Sequence, residues 1–489
     1  MALSSPDNST AAPNPCSLEG IPPEIITQFF LSYHDTLEKG SIDRGLQNIC
    51  LTCKDWCDIV YSAPELWCTL DITVQSRSAP ESSISRVEAW LRRSRERPLK
   101  IYYTVDNPGP AINLWNNNLF SKIFKLLVDQ IHRWSDVTLS FPPTIREAFP
   151  NGMEISAPML ERFSIVSFPV LPIHAKWIFT LLARSPKLHS FHDKRSEIQA
   201  MPATPPLQKL PLSQLTDIDI HYPYPPPYIL DLIVAMPLLK TCHFALGTDP
   251  PFYISRLTPV FYAPTSLRIT LSHPSAISPL FFSRLQAPAL EEIDIRILPN
   301  THLIYGNLSI IFNNTHAQIT SFTLRNMFVE AANFLSCLRL LSPTLTRLEI
   351  LADSLSSHYY NMAENFSEEI IAALVYDPDI PVEGILCPKL EALALERCVT
   401  ESDQKLGCMI ESRWRAHHQK PDYHPNPKYP PPISEFRFFR VVFRYHSHDA
   451  DARILQMLRS EGLGGATEFG HAKLSRQIPI FSTCRPKIT

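Results

Sequence analysis

Two places in this 489-residue sequence gather side chains that could bind a metal ion. Cys50, Cys53, Cys57 and Cys68 supply four thiols, the number that closes a structural zinc site. The spacing argues otherwise. Cys50, Cys53 and Cys57 share a helical face with Ile49 and Trp56, where small thiols serve as packing. His446-Ser447-His448-Asp449, with Asp451 beyond, puts two imidazoles on one side of an extended segment, which suits chelation. That string completes no metallohydrolase signature, and a polar loop leading into a helix over 452–458 is the simpler reading. His417, His418 and His424 lie in or beside a proline-rich stretch and are discounted likewise. Gly462-Leu463-Gly464-Gly465 follows a helix, as a stop signal does, and carries no Lys-Ser or Lys-Thr pair for phosphate. No Gly-x-Ser-x-Gly elbow marks a serine hydrolase. No catalytic residue, metal ligand or cofactor is assigned, and the chain is expected not to be an enzyme. A metal-dependent hydrolase built on 446–451 is the enzymatic rival.

Composition narrows the classes. The net charge is −3, without the basic excess that favours nucleic acid or an anionic membrane. Glycines number 13 and prolines 46, which suits short repeated units with frequent turns. The 11 cysteines are thinly spread and outline no disulfide framework, so reduced thiols and an intracellular location, cytoplasm or nucleus, are expected. No apolar run approaches the ~20 residues of a membrane span.

The elements come next. Residues 1–20 are rich in Ser, Pro, Asn and Ala and form a tail. Ile21-Pro22-Pro23-Glu24-Ile25-Ile26 opens a helix: proline tolerates the first turn and Glu24 faces its positive end. Ile25, Ile26, Phe29 and Phe30 make its apolar stripe. A second helix runs through Leu46, Ile49, Cys50, Cys53, Trp56, Ile59 and Val60. Pro64-Glu65-Leu66-Trp67 then leads into a strand over 69–74. So small a module is weak alone, and its apolar stripes call for a covering partner.

The string from Ile21 to Trp67 resembles the F-box of fungal F-box proteins. The matching landmarks are Ile21–Ile26, Cys53-Lys54-Asp55-Trp56 and Pro64-Glu65-Leu66-Trp67, with Ile21 for leucine and Lys54 for arginine as departures. The resemblance covers about a tenth of the chain. It implies a ubiquitin-ligase subunit that binds a Skp-type adaptor and, through it, a cullin scaffold. Pro22, Pro23, Glu24, Ile25, Ile26, Phe29, Ile49 and Lys54 would then meet the adaptor, with Trp56 and Trp67 packing inside the module.

Beyond a helix over 85–94 with a basic outer side and a strand over 98–105, one pattern returns. It reads APMLERFSI at 157, SPKLHSFHD at 185, LSQLTDIDI at 212, MPLLKTCHF at 236, APALEEIDI at 287, HAQITSFTL at 316, SPTLTRLEI at 342 and CPKLEALAL at 387, with a degenerate APTSLRITL at 263. Starts fall roughly 24 to 29 residues apart until the last gap, within the range of leucine-rich repeats. The leucine and two later apolar residues should enter a core, and the residues between should face outward from one strand. Helices are expected over 175–183, 228–235, 333–341 and 367–374, and another through Met409 to Arg413.

The expected fold class is α/β: a small helical F-box module over 21–68, then an irregular leucine-rich-repeat-like solenoid with a parallel sheet over 69–480, then a tail over 481–489. The irregularity follows from the missing Asn or Cys that usually bonds successive turns. Outward strand positions nominate a surface for a protein substrate: Asp217 and Asp219, His243, and Glu292 and Asp294, with the acids drawing a basic segment. A repeat scaffold without a ligase role is the alternative. HYPYPPPY at 221 and KYPPP at 428 are expected as stiff connections.

Overall fold

The computed structural model describes residues 21–37, 41–74, 82–105, 117–140, 155–166, 172–194, 207–247, 260–261, 264–271, 281, 284–297, 304–305, 308–309, 312, 318–351, 366–396, 402–418, 433–443 and 448–469. Two compact units divide the chain, Met1–Pro211 and Leu212–Thr489. The helical module and the first strands lie in the first unit.

The first unit begins with three helices, α1 (Pro23–Thr36), α2 (Ile42–Thr52) and α3 (Lys54–Ser62). The single helix expected through Leu46 to Val60 is thus two. Cys53 is fully extended, at φ −159° and ψ 168°, closing α2 and opening α3. The break lets α3 fold back, so that Trp56 meets Phe30 of α1 edge-on at 5.1 Å. Strands and helices then follow in the order β1 (Thr69–Val74), α4 (Ser82–Arg93), β2 (Leu99–Val105), α5 (Asn117–Val128), β3 (Trp134–Leu139), β4 (Arg162–Ile165), α6 (Pro172–Ala183) and β5 (Ser190–Asp193). Parallel strands need such crossovers, and β1 to β5 pair in parallel, in sequence order.

The second unit continues the same grammar. It contains β6 (Asp217–Tyr224), α7 (Pro226–Val234), β7 (Thr241–Leu246), β8 (Val260–Phe261), β9 (Ser266–Leu271), β10 (Leu285–Gln286), β11 (Glu292–Ile297), β12 (Ile304–Tyr305), β13 (Ser321–Arg325) and β14 (Phe328–Val329). Then come α8 (Ala331–Leu341), β15 (Arg347–Leu351), α9 (Glu368–Leu374), β16 (Ala392–Glu396), α10 (Lys405–His418), β17 (Phe438–Phe443), α11 (Asp449–Ser460) and β18 (Gly464–Phe469). Strands β6, β7, β9, β11, β13, β15, β16, β17 and β18 pair in that order, all parallel. The short β8 and β10 pair with each other, as do β12 and β14. The chain is therefore a mixed α/β protein built on parallel strands. The triple proline of HYPYPPPY does not act as a stiff linker: Pro225 caps α7, and Pro226 and Pro227 begin it. KYPPP lies outside the described residues.

The repeated motif explains strand entry where it occurs. Its leucine and both later apolar positions are buried, as at Leu160, Phe163 and Ile165 or at Leu290, Ile293 and Ile295. The small residue before the proline is also buried, at Ala157, Ser185, Ala287 and Cys387. Its carbonyl accepts from the leucine N–H three residues on, at 3.1 Å for Ala157–Leu160, 3.2 Å for Ser185–Leu188 and 3.2 Å for Ala287–Leu290. This is a β-turn with proline where φ is already set, which is why proline recurs there.

Side-chain ladders of Asn are not needed between these turns, because the backbone does that work. The carbonyl just before each strand accepts two N–H groups from the next repeat. Thr265 takes Glu291 and Glu292 at 2.8 and 3.0 Å, and Glu291 takes Thr320 and Ser321 at 2.8 and 3.0 Å.

Candidate functional site

Register turns single strand positions into rows across a sheet. One row of the second unit reads Ile218, Cys242, Leu267, Ile293, Phe322, Leu348, Leu393 and forms core. The next position along the strands lies on the opposite face and reads Asp219, His243, Arg268, Asp294, Thr323, Glu349. The nominated substrate residues Asp219, His243 and Asp294 all sit in this row. Asp217 and Glu292 stand two positions earlier, in the row on the other side of the core row.

The acids of these rows are engaged by their lateral neighbours. Asp294 accepts from Arg268 Nε at 3.0 Å and from Arg325 Nε at 3.1 and 3.0 Å. Its charge is matched from both sides, which weakens the expected pull on a basic segment. Glu292 is exposed. Asp217 accepts from Thr241 Oγ1 at 2.5 Å. Asp219 Oδ1 lies 2.6 Å from His243 Nδ1 and 2.9 Å from His221 Nε2. Burial alone would raise the Asp219 carboxyl, but its bonds to His221 and His243 outweigh that and hold it well below the usual carboxylate range. His243 is not an outward contact residue. It is buried, its Nε2 is 2.7 Å from Thr270 Oγ1, and burial lowers its pKa. His221 was passed over in the sequence and Thr270 stood only as another outward strand position, because only strand register shows that they adjoin His243.

The earlier histidine string resolves differently. His446 lies outside the described residues. His448 and Asp451 are buried, with His448 Nδ1 3.0 Å from Asp451 Oδ2, and Asp403 completes a three-residue cluster. Both carboxylates also close helix ends. Asp451 Oδ1 accepts from Gly407 N–H in the first turn of α10 at 2.6 Å. Asp403 accepts from Ala450 and Asp451 N–H, both at 2.9 Å, in the first turn of α11. Two helices are thus capped by acids from elsewhere in the chain, which satisfies their free N–H groups. The backbone bonds outweigh desolvation and lower the Asp403 pKa.

The four N-terminal cysteines do not form one of the metal-ligand groups found among the described residues. Burial, aided by a bond to Cys57, pushes the Cys50 thiol up to about 11, the wrong direction for a ready thiolate. His417 bonds the Ile433 carbonyl at 2.8 Å, and His418 stacks on Trp414. Gly462, at φ 111°, ends α11 as its position suggested.

The N-terminal helices carry a different kind of surface. The apolar stripe expected on α1 is two stripes, each with a four-residue repeat. Ile26, Phe30 and His34 face inward, whereas Ile25, Phe29 and Tyr33 face out. Phe29 is 67% exposed and Ile25 49%; Ile21, Leu51 on α2 at 82% and Tyr61 on α3 are exposed too. Of the eight residues expected to meet an adaptor, Pro22, Pro23, Glu24, Ile25, Phe29 and Lys54 are exposed. Ile26 and Ile49 are instead core, 6% and 5% exposed, and support the surface from beneath. Leu51, Tyr33 and Tyr61 were missed, since they fall outside the apolar period that marks the core.

The basic side of α4 is used internally. Arg86 pairs with Asp43 at 2.8 Å, and Arg93 lies over Tyr61 and Trp67 at 4.3 and 4.4 Å. Trp67 is buried and donates to the Val60 carbonyl at 2.8 Å, a packing role as expected.

No helix among the described residues is long and apolar enough to cross a membrane. Compared with protein-family models and with curated proteins, the sequence matches none.

Proposed function

We propose that this chain is the substrate-recognition subunit of an SCF-type ubiquitin ligase, docking a Skp-type adaptor through an F-box formed by α1, α2 and α3. The observation that carries the reading is the outer face of α1, where Ile25, Phe29 and Tyr33 stand exposed; Ile21, Leu51 and Tyr61 of the same module are exposed as well. A short helical module that keeps large apolar side chains in water is a surface awaiting a partner. The sequence landmarks that resemble the F-box run through the same three helices. Ile26 and Ile49 hold this face from within.

The parallel strands that follow act as a leucine-rich-repeat-like solenoid that holds a target protein. Both duties are binding, and the chain supplies no bond chemistry. Its contribution to ubiquitin transfer is the raised local concentration of target lysines near the charged conjugating enzyme, which reaches the complex through a cullin scaffold.

Affinity purification of the intact chain from a fungal lysate tests this reading. Adaptor and cullin should be recovered in stoichiometric amounts, and both should be lost from an Ile25→Asp/Phe29→Asp variant that still folds. Recovery of neither, or equal recovery by the variant, would refute it. The alternative scaffold without a ligase role would give captured proteins that do not change with the variant.

A further inference from the structure

We propose that Asp219, His221 and His243 form a binding site for one borderline divalent transition-metal ion of the zinc class. The three donor atoms lie within 4.8 Å of one another. The two imidazole nitrogens approach the same carboxylate oxygen, at 2.9 Å for His221 Nε2 and 2.6 Å for His243 Nδ1. Metal–ligand bonds of ~2.0–2.1 Å in a tetrahedral site put ligand atoms about 3.3 Å apart. Retreat of His221 Nε2 by about 0.4 Å and of His243 Nδ1 by about 0.7 Å from Asp219 Oδ1 would bring both to that spacing. Two imidazoles and one carboxylate are the donor set that suits zinc and its neighbours over calcium or magnesium.

Three further features separate this cluster from a plain hydrogen-bonded ladder. The far nitrogen of His243 is held by Thr270 Oγ1 at 2.7 Å, the outer partner that orients a ligating imidazole and fixes its tautomer. The pairing of β6 with β7 is irregular between Ile220 and Pro223, at the position of His221, and the two imidazoles stand edge to face at 4.6 Å. His221 is also partly exposed, which leaves a way in for the ion and a position for water or another donor. The Asp403, His448 and Asp451 cluster is the counter-case. Its carboxylates close the first turns of two helices, so metal uptake there would strip both caps.

The site rests on no part of the ligase reading, and its test is separate. The full-length chain, freed of metal with a chelator, is titrated with Zn²⁺ by calorimetry and with Co²⁺ by visible absorption. One equivalent should bind, with an absorption band of nitrogen and oxygen ligation. His221→Ala and Asp219→Asn should each weaken binding at least about 10-fold, while Asp403→Asn leaves it unchanged. Far-UV circular dichroism confirms that each variant is folded, and His221→Ala removes only a partly exposed side chain. Failure of the intact chain to bind Zn²⁺, or undiminished binding by His221→Ala, would overturn the proposal. So would loss of binding in Asp403→Asn alone.

Discussion

Arg413 shows how a single residue can hold a chain segment. It is fully buried, and its donors reach three backbone carbonyls: Leu374 at 2.7 Å, Cys387 at 2.9 Å and Leu386 at 2.6 Å. Burial pulls its pKa down to about 10, so it stays charged at neutral pH. Arg413→Met should cost on the order of 3–5 kcal/mol, since three buried carbonyls lose their donor. Denaturant unfolding measures this, and Arg413→Lys should recover only part, lacking the planar fork. His34 gives a pH dependence with a definite sign. Burial lowers its pKa below the ordinary 6.5, against the opposing pull of Asp35. The unfolded chain then takes up the proton first, so the first unit should lose stability as pH falls below about 6.5. His34→Phe should flatten that slope in melts recorded across the range. Neither role was visible in the sequence: an arginine on an amphipathic helix usually faces water, and His34 sits one turn beyond the apolar stripe.

At the scale of elements, the sequence was most legible where a local pattern and a local bond coincide. The small-Pro-x-Leu step encodes a turn, a buried leucine and a strand start at once, so strands at 162, 190, 292 and 392 followed from it. The break at Cys53 was not legible, because apolar spacing continues through it and only the backbone changes direction. The paired caps of α10 and α11 join Asp403 to residues 450 and 451, and Asp451 to Gly407, distances no local pattern spans. Asp403→Ala should destabilise the second unit by about 1–2 kcal/mol, and Asp403→Asn by less, as read from chemical denaturation. Gly465 marks the last strand. At φ 151°, a Cβ there would sit 2.2 Å from the Phe439 carbonyl oxygen, against which β18 pairs. Gly465→Ala should loosen β18 by about 1–3 kcal/mol and raise amide exchange along 464–469.

At the scale of the molecule, fold class was readable and the candidate sites only in part. Parallel strands followed from a motif that repeats with helices between its copies. The row of Asp219, His243 and Asp294 on the opposite face needed register as well. Asp219, Asp294 and His243 were found one strand at a time, but Thr270 beside His243, and Arg268 and Arg325 beside Asp294, stand on neighbouring strands, and His221 joins Asp219 from two positions along β6. In the N-terminal module the reverse holds. The start of α1 was legible, yet separating Ile25 and Phe29 from Ile26 and Phe30 required knowing which side of α1 meets α2 and α3.

The claim that the outer face of α1 exists to bind a Skp-type adaptor is open to direct titration. Purified adaptor added to the full-length chain in a calorimeter should give a one-to-one complex. The Ile25→Asp/Phe29→Asp chain, folded by circular dichroism, should bind at least about 30-fold more weakly, as loss of central apolar anchors implies. Absence of measurable binding by the unaltered chain, or equal affinity in the altered one, would contradict the account.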